Sequence, residues 1–447
     1  MLRLETQNML RPALGDHGID PDWLNRLQGR LAEAHDDIRA RRAAGALGFY
    51  ELVNGGELVR IRQFADTIGS AWFDTVVVLG IGGSALGTTM LLNALRPPRW
   101  NELSDEEREY HPRLYVLDNI DPATLGPLLD RLDLGRTLFN VVSKSGATAE
   151  TMAQYLVVRE RLRRTLGDDA YARHLLFTTD PERGVLRRIA EQEGIGAFPI
   201  PPNVGGRFSV LSAVGLLPAA LVGIDIEGVI DGARTMTERC DTADLDSNIA
   251  ARYAALQYLA HDRLGAGIHV MMAYADALFA AADWFRQLWA ESLGKRYDRG
   301  GQEVFRGPTP IKALGATDQH SQIQLYIEGP FDKTITFLAL DDPGEDIAIP
   351  EAQYQDVDEL AYLAGKTLGG LLRAEREATA QALTAEGRMN MTLELAALTP
   401  PAVGELLMML QIATVFAGAL YDVDPLDQPG VELGKQLTYR LMGRAGH

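Results

Sequence analysis

Two segments of this chain place glycine and hydroxyl side chains directly after an apolar run, an arrangement that suits anion binding. In the first, Gly80, Gly82, Gly83 and Ser84 follow the β-branched run at residues 75–79. Glycines here can take positive φ angles and let the backbone approach a ligand closely. Ser84 is placed to cap the next helix, whose free N–H groups attract anions. The segment predicts an anion site, with a plain tight turn as the alternative.

The same glycines match the fingerprint G-x-G-x-x-A, which makes an NAD-dependent dehydrogenase one alternative. In that fold an acidic residue lies about 20 positions further on, at the end of the second strand. Asp118 closes the second apolar run but stands about twice as far away, and Glu102 falls in a predicted loop. The fingerprint is therefore weak support for a dinucleotide.

The second segment is richer in hydroxyls. Ser143, Lys144, Ser145 and Thr148 follow the apolar run at residues 138–142 and open a predicted helix. Hydroxyls and free amides at a helix start suit a phosphate monoester. The pattern G-x-x-x-x-G-K-[ST] is missing from the chain, which disfavours a nucleoside triphosphate. A well-capped helix with spare hydroxyls is the alternative.

Two charged residues downstream could act on such a ligand. Arg207 follows two glycines and offers a fork of donors suited to a phosphate or a developing oxyanion. Its alternative role is a surface salt bridge. Glu291 could serve as a proton-transferring base, but Lys295 stands four residues later. That spacing is typical of an ion pair on a helix surface.

Polar residues towards the C-terminus complete the candidates. His320 can exchange protons near neutral pH and precedes a predicted strand, where a structural histidine is the alternative. Gln428 and Lys435 lie in a turn that leads into a helix, and Lys435 is either solvated or in reach of a ligand. The single cysteine, Cys240, excludes an internal disulfide and a cysteine-rich metal site.

The strands and helices predicted around these residues form two α/β units. Short apolar runs in the first unit predict strands buried on both faces, as in a parallel sheet. These strands are expected at residues 75–80, 113–118, 138–143 and 175–180. An amphipathic helix is predicted before them, at residues 21–45, and a helical connection after them, at residues 228–240.

The second unit shows the same alternation of strand and helix patterns. Strands are predicted at residues 268–276, 323–329 and 334–340. Helices are predicted at residues 282–295, 360–387 and 403–422.

Length and charge narrow the class of protein. A chain of 447 residues is expected to form two domains. Its formal net charge of −18 argues against general nucleic-acid binding. The first residues lack the apolar core of a signal peptide, and no uninterrupted apolar run reaches the roughly 18 residues of a membrane span. We therefore expect a cytoplasmic protein that binds neither nucleic acid nor membrane.

Taken together, these segments resemble the glucose-6-phosphate isomerase family. The matching segments occur in family order between residues 80 and 437. They are GIGGSALG, SKSGATAET, GGRFSVLSAVGLLP, AESLGK, DQHSQ and DQPGVELGKQL. The resemblance implies an α/β fold of two sugar-isomerase (SIS) domains, each a mainly parallel sheet flanked by helices, with additional N- and C-terminal helices. We place the N-terminal helical segment at residues 1–50, the first domain at 51–220 and the second at 221–447.

The resemblance also implies roles for individual residues. Glu291 would carry a proton between C1 and C2 through a cis-enediol(ate), and Arg207 would stabilise the negative charge of that intermediate. His320, assisted by Lys435, would open the sugar ring. The residues implied to hold the substrate are Gly83, Ser84, Ser143, Lys144, Ser145, Thr148, Gln287 and Gln428.

The family members act in glycolysis and gluconeogenesis on glucose 6-phosphate and fructose 6-phosphate, and the resemblance implies no metal and no cofactor. It further implies a homodimer in which His320 is contributed across the interface. A dual phosphoglucose/phosphomannose isomerase and a non-catalytic phosphosugar sensor are the alternatives. The sequence alone does not indicate a role for the segment at residues 296–319.

Overall fold

The computed structural model describes residues 1–351, 354 and 356–444, apart from the side chains of residues 68–71. The described residues form twelve strands and sixteen α-helices. The strands are β1 (Arg3–Glu5), β2 (Thr75–Leu79), β3 (Arg113–Leu117), β4 (Thr137–Val142), β5 (Leu175–Thr179), β6 (Gly196–Pro199), β7 (Ile268–Ala273), β8 (Lys295–Tyr297), β9 (Glu303–Arg306), β10 (Thr309–Leu314), β11 (Lys333–Leu340) and β12 (Asn390–Leu395). The helices are α1 (Arg11–Leu14), α2 (Pro21–Ala43), α3 (Leu58–Trp72), α4 (Leu86–Leu95), α5 (Pro122–Arg131), α6 (Ala149–Leu166), α7 (Val185–Glu193), α8 (Ala213–Leu221), α9 (Ile226–Arg239), α10 (Ile249–Leu264), α11 (Asp276–Leu293), α12 (Ile323–Glu328), α13 (Asp358–Ala361), α14 (Leu368–Ala385), α15 (Pro400–Tyr421) and α16 (Glu432–Leu441).

The first sheet has the order β3-β2-β4-β5-β6, and all its pairings are parallel. The four strands predicted in this unit are confirmed as β2, β3, β4 and β5. The chain runs from β2 to β3 on one side and then returns to β4 on the other. The carboxyl ends of β2 and β4 therefore flank a switch point, where open α/β sheets bind ligands.

The second sheet has the order β1-β12-β11-β7-β10. It repeats the plan of the first, because β7 lies between β10 and β11 and pairs with both in parallel. Strand β1 comes from the N-terminus and pairs antiparallel with β12. The expectation of two mainly parallel sheets flanked by helices is confirmed; the domain boundaries proposed from the sequence stay a prediction.

Helix α15 forms the centre of the core, where it packs against α9, α10, α11 and α2. By length and composition alone, this helix could cross a membrane. However, 94% of its 18-residue apolar stretch is buried inside the protein. Cys240, at the end of α9, is buried as well, and burial raises the pKa of its thiol to about 11. That thiol is therefore protonated and unreactive at neutral pH.

The prediction of a strand at residues 323–329 is wrong, because this segment forms α12. Its apolar residues recur at a spacing that also fits one helix face, and Ile323, Tyr326 and Ile327 pack into the same small core beneath the second sheet. An apolar run this short does not distinguish the two-residue period of a strand from the period of about 3.6 residues of a helix. His320 consequently precedes a helix, not a strand.

The predicted helix at residues 360–387 is interrupted, and its long part, α14, begins only at Leu368. Gly365 has a φ of 69°, and the Thr367 side chain accepts a hydrogen bond from the Gly370 amide, 3.0 Å away, to cap the helix. Both features end any continuous helix before residue 368.

The segment at residues 296–319 contributes a hairpin and an edge strand. Strands β8 and β9 pair antiparallel, and β10 follows at the edge of the second sheet. Pro310 lies inside β10. A proline is tolerated in an edge strand, but in the sequence alone it argues against a strand.

Candidate active site

The glycine turn after β2 packs against the segment that carries Arg207. A Cβ atom on Gly83 would lie 2.3 Å from the carbonyl carbon of Gly206 and 2.7 Å from the Arg207 amide nitrogen, so only glycine fits there. Gly82 has a φ of 57°. The expectation that Ser84 caps the next helix is wrong: α4 starts after Ala85 without a side-chain cap, because Ser84 lies in a preceding 3₁₀ turn.

Replacing Gly83 by alanine is expected to weaken the binding of a phosphosugar at the glycine turn and also to destabilise the fold. The new methyl group must push the glycine turn away from Gly206. We expect KM for a phosphosugar to rise roughly tenfold, which corresponds to about 1.4 kcal/mol. Steady-state kinetics test this, with Gly126→Ala as the matched control since a Cβ there meets open space. An unchanged KM in the Gly83→Ala variant would contradict the assignment.

The hydroxyl-rich loop follows β4, the strand next to β2. Ser143 Oγ and Thr148 Oγ1 lie 3.0 Å apart. Thr148 occupies the N-cap position of α6, yet its side chain makes no capping hydrogen bond. The alternative of a well-capped helix therefore does not explain this hydroxyl. Ser145 is exposed, and its Oγ accepts a hydrogen bond from the Ala147 amide, 3.3 Å away.

Lys144 ties this loop to the chain that precedes Arg207. Its ammonium donates hydrogen bonds to the carbonyl oxygens of Pro202 and Val204, at 2.6 Å and 2.9 Å. Partial burial lowers the pKa of the Lys144 ammonium. The lysine thus holds the loop in place, whereas a direct contact with substrate stays a prediction.

Arg207 is buried, so the surface salt bridge weighed for it is wrong. Its Nε donates to Ser292 Oγ at 2.7 Å, and Nη1 donates to Gln428 Oε1 at 2.8 Å. Nη2 donates to the carbonyl oxygens of Pro425 and Asp427. Burial lowers the pKa of this guanidinium, while nearby carboxylates, that of Glu291 first among them, raise it. A single fixed cation therefore joins the first unit, α11 and the loop before α16.

Glu291 lies on α11 with its side chain 27% exposed, and one carboxylate oxygen stands 3.7 Å from Arg207 Nη1. Gln287, one turn earlier, donates from Nε2 to the other oxygen at 3.1 Å. The surface ion pair considered for Glu291 and Lys295 does not form. Lys295 is buried, and it donates to the backbone carbonyls of Glu291 and Asp427 and pairs with the Asp427 carboxylate at 3.1 Å. The Glu291 carboxylate is thereby left open to a ligand.

Contacts connect these groups into one site. A Cβ on Gly82 would lie 2.8 Å from Gln287 Nε2, so the glycine turn touches the residue that holds Glu291. Arg207 then joins Glu291 to Gln428. The arrangement presents one carboxylate, one guanidinium and a nearby cluster of hydroxyls, which suits proton transfer on a phosphorylated substrate.

His320 and Lys435 lie outside this network, and among the described residues no hydrogen bond or ion pair joins either of them to Glu291. His320 is exposed at the end of a 3₁₀ turn, which Gln319 anchors by donating to the hydroxyl groups of Tyr274 and Thr379. Lys435 is exposed on α16 and pairs with Glu432 at 2.7 Å. The hydroxyl of Tyr439, also on α16, donates to the carbonyl oxygen of Ala147, which brings this helix to the hydroxyl-rich loop.

Sequence reasoning missed two residues of the network, Ser292 and Asp427. Both lie inside motifs that carry the family resemblance, Ser292 in AESLGK and Asp427 in DQPGVELGKQL, but neither is singled out there. In the described part of the chain, no three His, Cys, Asp or Glu side chains form a group that could hold a metal ion.

The profile of the phosphoglucose isomerase family matches residues 56–445. The chain belongs to this family. A glucose-6-phosphate isomerase of Carboxydothermus hydrogenoformans is 45% identical over 447 residues, which cover all of this chain and 95% of the relative. One of Rubrobacter xylanophilus is 46% identical over 415 residues, covering 92% of this chain and 93% of the relative.

Solved structures agree with this membership. A hypothetical protein from Thermus thermophilus is similar with a TM-score of 0.88 at 41% identity, covering 99% of this chain and 100% of that one. A glucose-6-phosphate isomerase from Chlamydia trachomatis is similar with a TM-score of 0.74 at 25% identity, covering 88% of this chain and 74% of that one. The resemblance inferred from the six motifs is thereby confirmed.

Proposed function

We propose that this chain interconverts glucose 6-phosphate and fructose 6-phosphate. The observation that carries the proposal is the Glu291 carboxylate, held by Gln287 and placed 3.7 Å from the buried Arg207 cation. The relatives named glucose-6-phosphate isomerase support the same reaction. A dehydrogenase is disfavoured, because the turn at Gly80–Gly83 belongs to the motif set of an isomerase family.

In the proposed reaction, Glu291 removes the proton from C2 of the open-chain aldose. The electron pair left behind forms a C1–C2 double bond and places negative charge on the C1 oxygen. Arg207 stabilises this enediolate, because a fixed cation acts most strongly where charge develops. Glu291 then delivers the proton to C1 while a proton moves from the C2 hydroxyl to the C1 oxygen, so C2 becomes the carbonyl carbon and the ketose forms without net loss or gain of atoms. Gln287 and Gln428 orient the carboxylate and the guanidinium.

The phosphate group is proposed to bind between the two loops at the switch point. Ser143, Ser145 and Thr148 offer hydroxyls, while Gly83 and Ser84 offer backbone and side-chain donors on the neighbouring turn. Lys144 lies among them and adds a positive charge. Donors grouped in this way match the several oxygens of a phosphate monoester.

A coupled assay tests the reaction. Purified protein receives fructose 6-phosphate with excess EDTA, and glucose-6-phosphate dehydrogenase reports the product. We expect rapid conversion that EDTA does not reduce. Folded protein that binds fructose 6-phosphate without converting it would overturn the proposal in favour of a phosphosugar sensor. Mannose 6-phosphate in the same assay measures whether the enzyme has dual specificity.

His320 is proposed to open the sugar ring, with assistance from Lys435. We expect His320→Ala to lower kcat on the ring form of the substrate by roughly 10²-fold, the scale of one general acid or base. On an acyclic substrate analogue that cannot close into a ring, the His320→Ala variant should lose far less activity. Comparison of the two substrates in His320→Ala and in the control His111→Ala tests the role. Equal losses on both substrates would remove His320 from ring opening.

We propose further that the chain works as a homodimer in which each His320 serves the partner's site, and that the enzyme is cytoplasmic and acts in glycolysis and gluconeogenesis. Two observations support the dimer. His320 is exposed and held outward by its anchored turn. Helix α16 exposes Leu433, Leu437 and Leu441 along one face, at a spacing of four residues. An apolar stripe of this kind is typical of a protein interface.

Mixing two inactive variants tests the shared site. Glu291→Gln chains are unfolded and refolded together with His320→Ala chains. In a mixed dimer, one site then combines an intact Glu291 with an intact His320 from the other chain. We expect recovery of about a quarter of wild-type activity, because half the dimers are mixed and each holds one good site. No recovery, with dimers demonstrated by sedimentation, would place His320 in the site of its own chain.

A further inference from the structure

The second sheet carries a small cavity at its amino-terminal edge, where β11 and β12 begin. The cavity measures about 60 Å³, several times the roughly 10–15 Å³ that one water needs. Lys333 opens β11, and Arg388 lies two residues before β12. The loops after β2 and β4 and the turn of His320 after β10 all follow the carboxyl ends of strands. None of the residues that line the cavity belongs to the candidate active site.

Arg388 is the unexplained group in this cavity. It is only 7% exposed, and its Nε and Nη1 are buried with no acceptor anywhere in the described part of the chain. The guanidinium lies 3.6 Å from the ring centroid of Phe331, a contact that satisfies no N–H group. Buried donors nearly always have a partner, since leaving one unpaired costs about 1–3 kcal/mol. The geometry therefore leaves room for an acceptor supplied from outside the chain.

The charges around Arg388 favour an anion. Lys333 is 6% exposed, and its ammonium donates to the Pro330 carbonyl oxygen and contacts the Asp332 carboxylate, which leaves one of its three N–H groups free. Asp16, the acidic residue in the cavity lining, is paired with Arg11 at 2.7 Å. Asp332 and Asp16 are thus each paired with a basic side chain, whereas Arg388 is paired with no carboxylate among the residues that the structure describes.

The outer wall of the cavity is aromatic. The His17 ring stacks on Phe331 with centroids 3.9 Å apart and 7° between the planes. Gly387 has a φ of 70°, and a Cβ there would lie 3.0 Å from His17 Cδ2, so glycine permits the close approach. His17 and Phe331 are both exposed, which gives the cavity a route to solvent.

We propose that this cavity binds a phosphoryl group, either inorganic phosphate or the phosphate of a small monoester, through Arg388 and Lys333. A guanidinium and an ammonium together suit a tetrahedral oxyanion better than they suit a carboxylate, because they approach several oxygens from different sides. The cavity holds the phosphoryl group alone, and the remainder of a monoester would extend past His17 and Phe331. The site does not depend on the isomerase activity.

The test measures how much phosphate raises the midpoint of thermal unfolding, at constant ionic strength. A ligand that binds only the folded state raises this midpoint. We compare wild type, Arg388→Gln and Lys333→Gln with Arg373→Gln, which removes an exposed arginine from α14. Phosphate bound at the active site contributes equally in all four proteins. We expect a smaller rise in both cavity variants than in wild type and control, with unchanged isomerase kcat.

Equal rises in all four proteins would overturn the proposal. Crystals of the full chain soaked in tungstate provide a second readout that does not depend on Arg388→Gln being stable. We expect anomalous density beside Arg388 and Lys333 in wild type and none in Lys333→Gln. Density only at the loops after β2 and β4 would also overturn it. Titration with glycerol 3-phosphate distinguishes a monoester site from one that accepts inorganic phosphate alone.

Discussion

Glu291→Gln is expected to lower kcat by roughly 10²–10⁴-fold, the contribution typical of a general base. The amide is nearly isosteric with the carboxylate, so the hydrogen bond from Gln287 and the packing of α11 should change little. Affinity for fructose 6-phosphate should therefore remain within a few-fold of wild type. Steady-state kinetics give kcat, and protection against thermal unfolding by fructose 6-phosphate gives the binding.

Glu33→Gln provides the matched control, because Glu33 is an exposed glutamate on α2. It removes the same charge and should leave both kcat and binding unchanged. Near-wild-type turnover in the Glu291→Gln protein would show that another group moves the proton. Loss of both turnover and binding would place Glu291 in the architecture of the site, not in the chemistry.

Arg207→Met is expected to damage activity and stability together. The substitution leaves the buried carbonyl oxygen of Pro425 without its donor, whereas the carbonyl oxygen of Asp427 keeps the hydrogen bond from Lys295, so we expect a cost of about 1–3 kcal/mol of the free energy of unfolding. It also removes the cation beside Glu291, for which we expect a further kcat loss of roughly 10²-fold in the protein that remains folded. Urea unfolding and kinetics measure the two effects separately.

Arg207→Lys separates charge from geometry. A lysine keeps the positive charge but cannot reach Ser292, Gln428 and the two carbonyls at once. We expect its kcat to fall between those of wild type and Arg207→Met. Arg164→Met, at an exposed position on α6, should leave stability and kcat unchanged. A fully active and stable Arg207→Met variant would contradict the role of this residue as the centre of the site.

Much of the first unit could be predicted from the sequence, because its central strands are buried on both faces. Their β-branched runs end in glycine or hydroxyl residues, which marks both the strand ends and the ligand loops. The edge strand β3 was predicted, but the edge strands β6 and β10 were not. β10 contains Pro310 and β6 ends in Pro199, and both lie where only one side of the strand needs hydrogen bonds.

Most residues of the candidate site could be predicted from the sequence, but the hydrogen bonds and ion pairs between them could not. Glu291 and Lys295 have the spacing of a surface pair, and only the fold shows that the lysine turns inward to Asp427. Likewise, the sequence around Arg207 cannot reveal that its partners come from α11 and from residues more than two hundred positions away. Such contacts depend on how two units pack, which no local pattern encodes.

Proton exchange during the reaction tests the central claim most directly. Fructose 6-phosphate is incubated with the protein and EDTA in deuterium oxide, and nuclear magnetic resonance follows the products. The account predicts glucose 6-phosphate that carries solvent deuterium at C2. The Glu291 carboxyl group is partly exposed, so the proton that it takes from C1 exchanges with solvent before Glu291 delivers a proton to C2. Absence of glucose 6-phosphate would contradict the proposed reaction, and a product with no deuterium at C2 would contradict proton transfer through a base that exchanges with solvent.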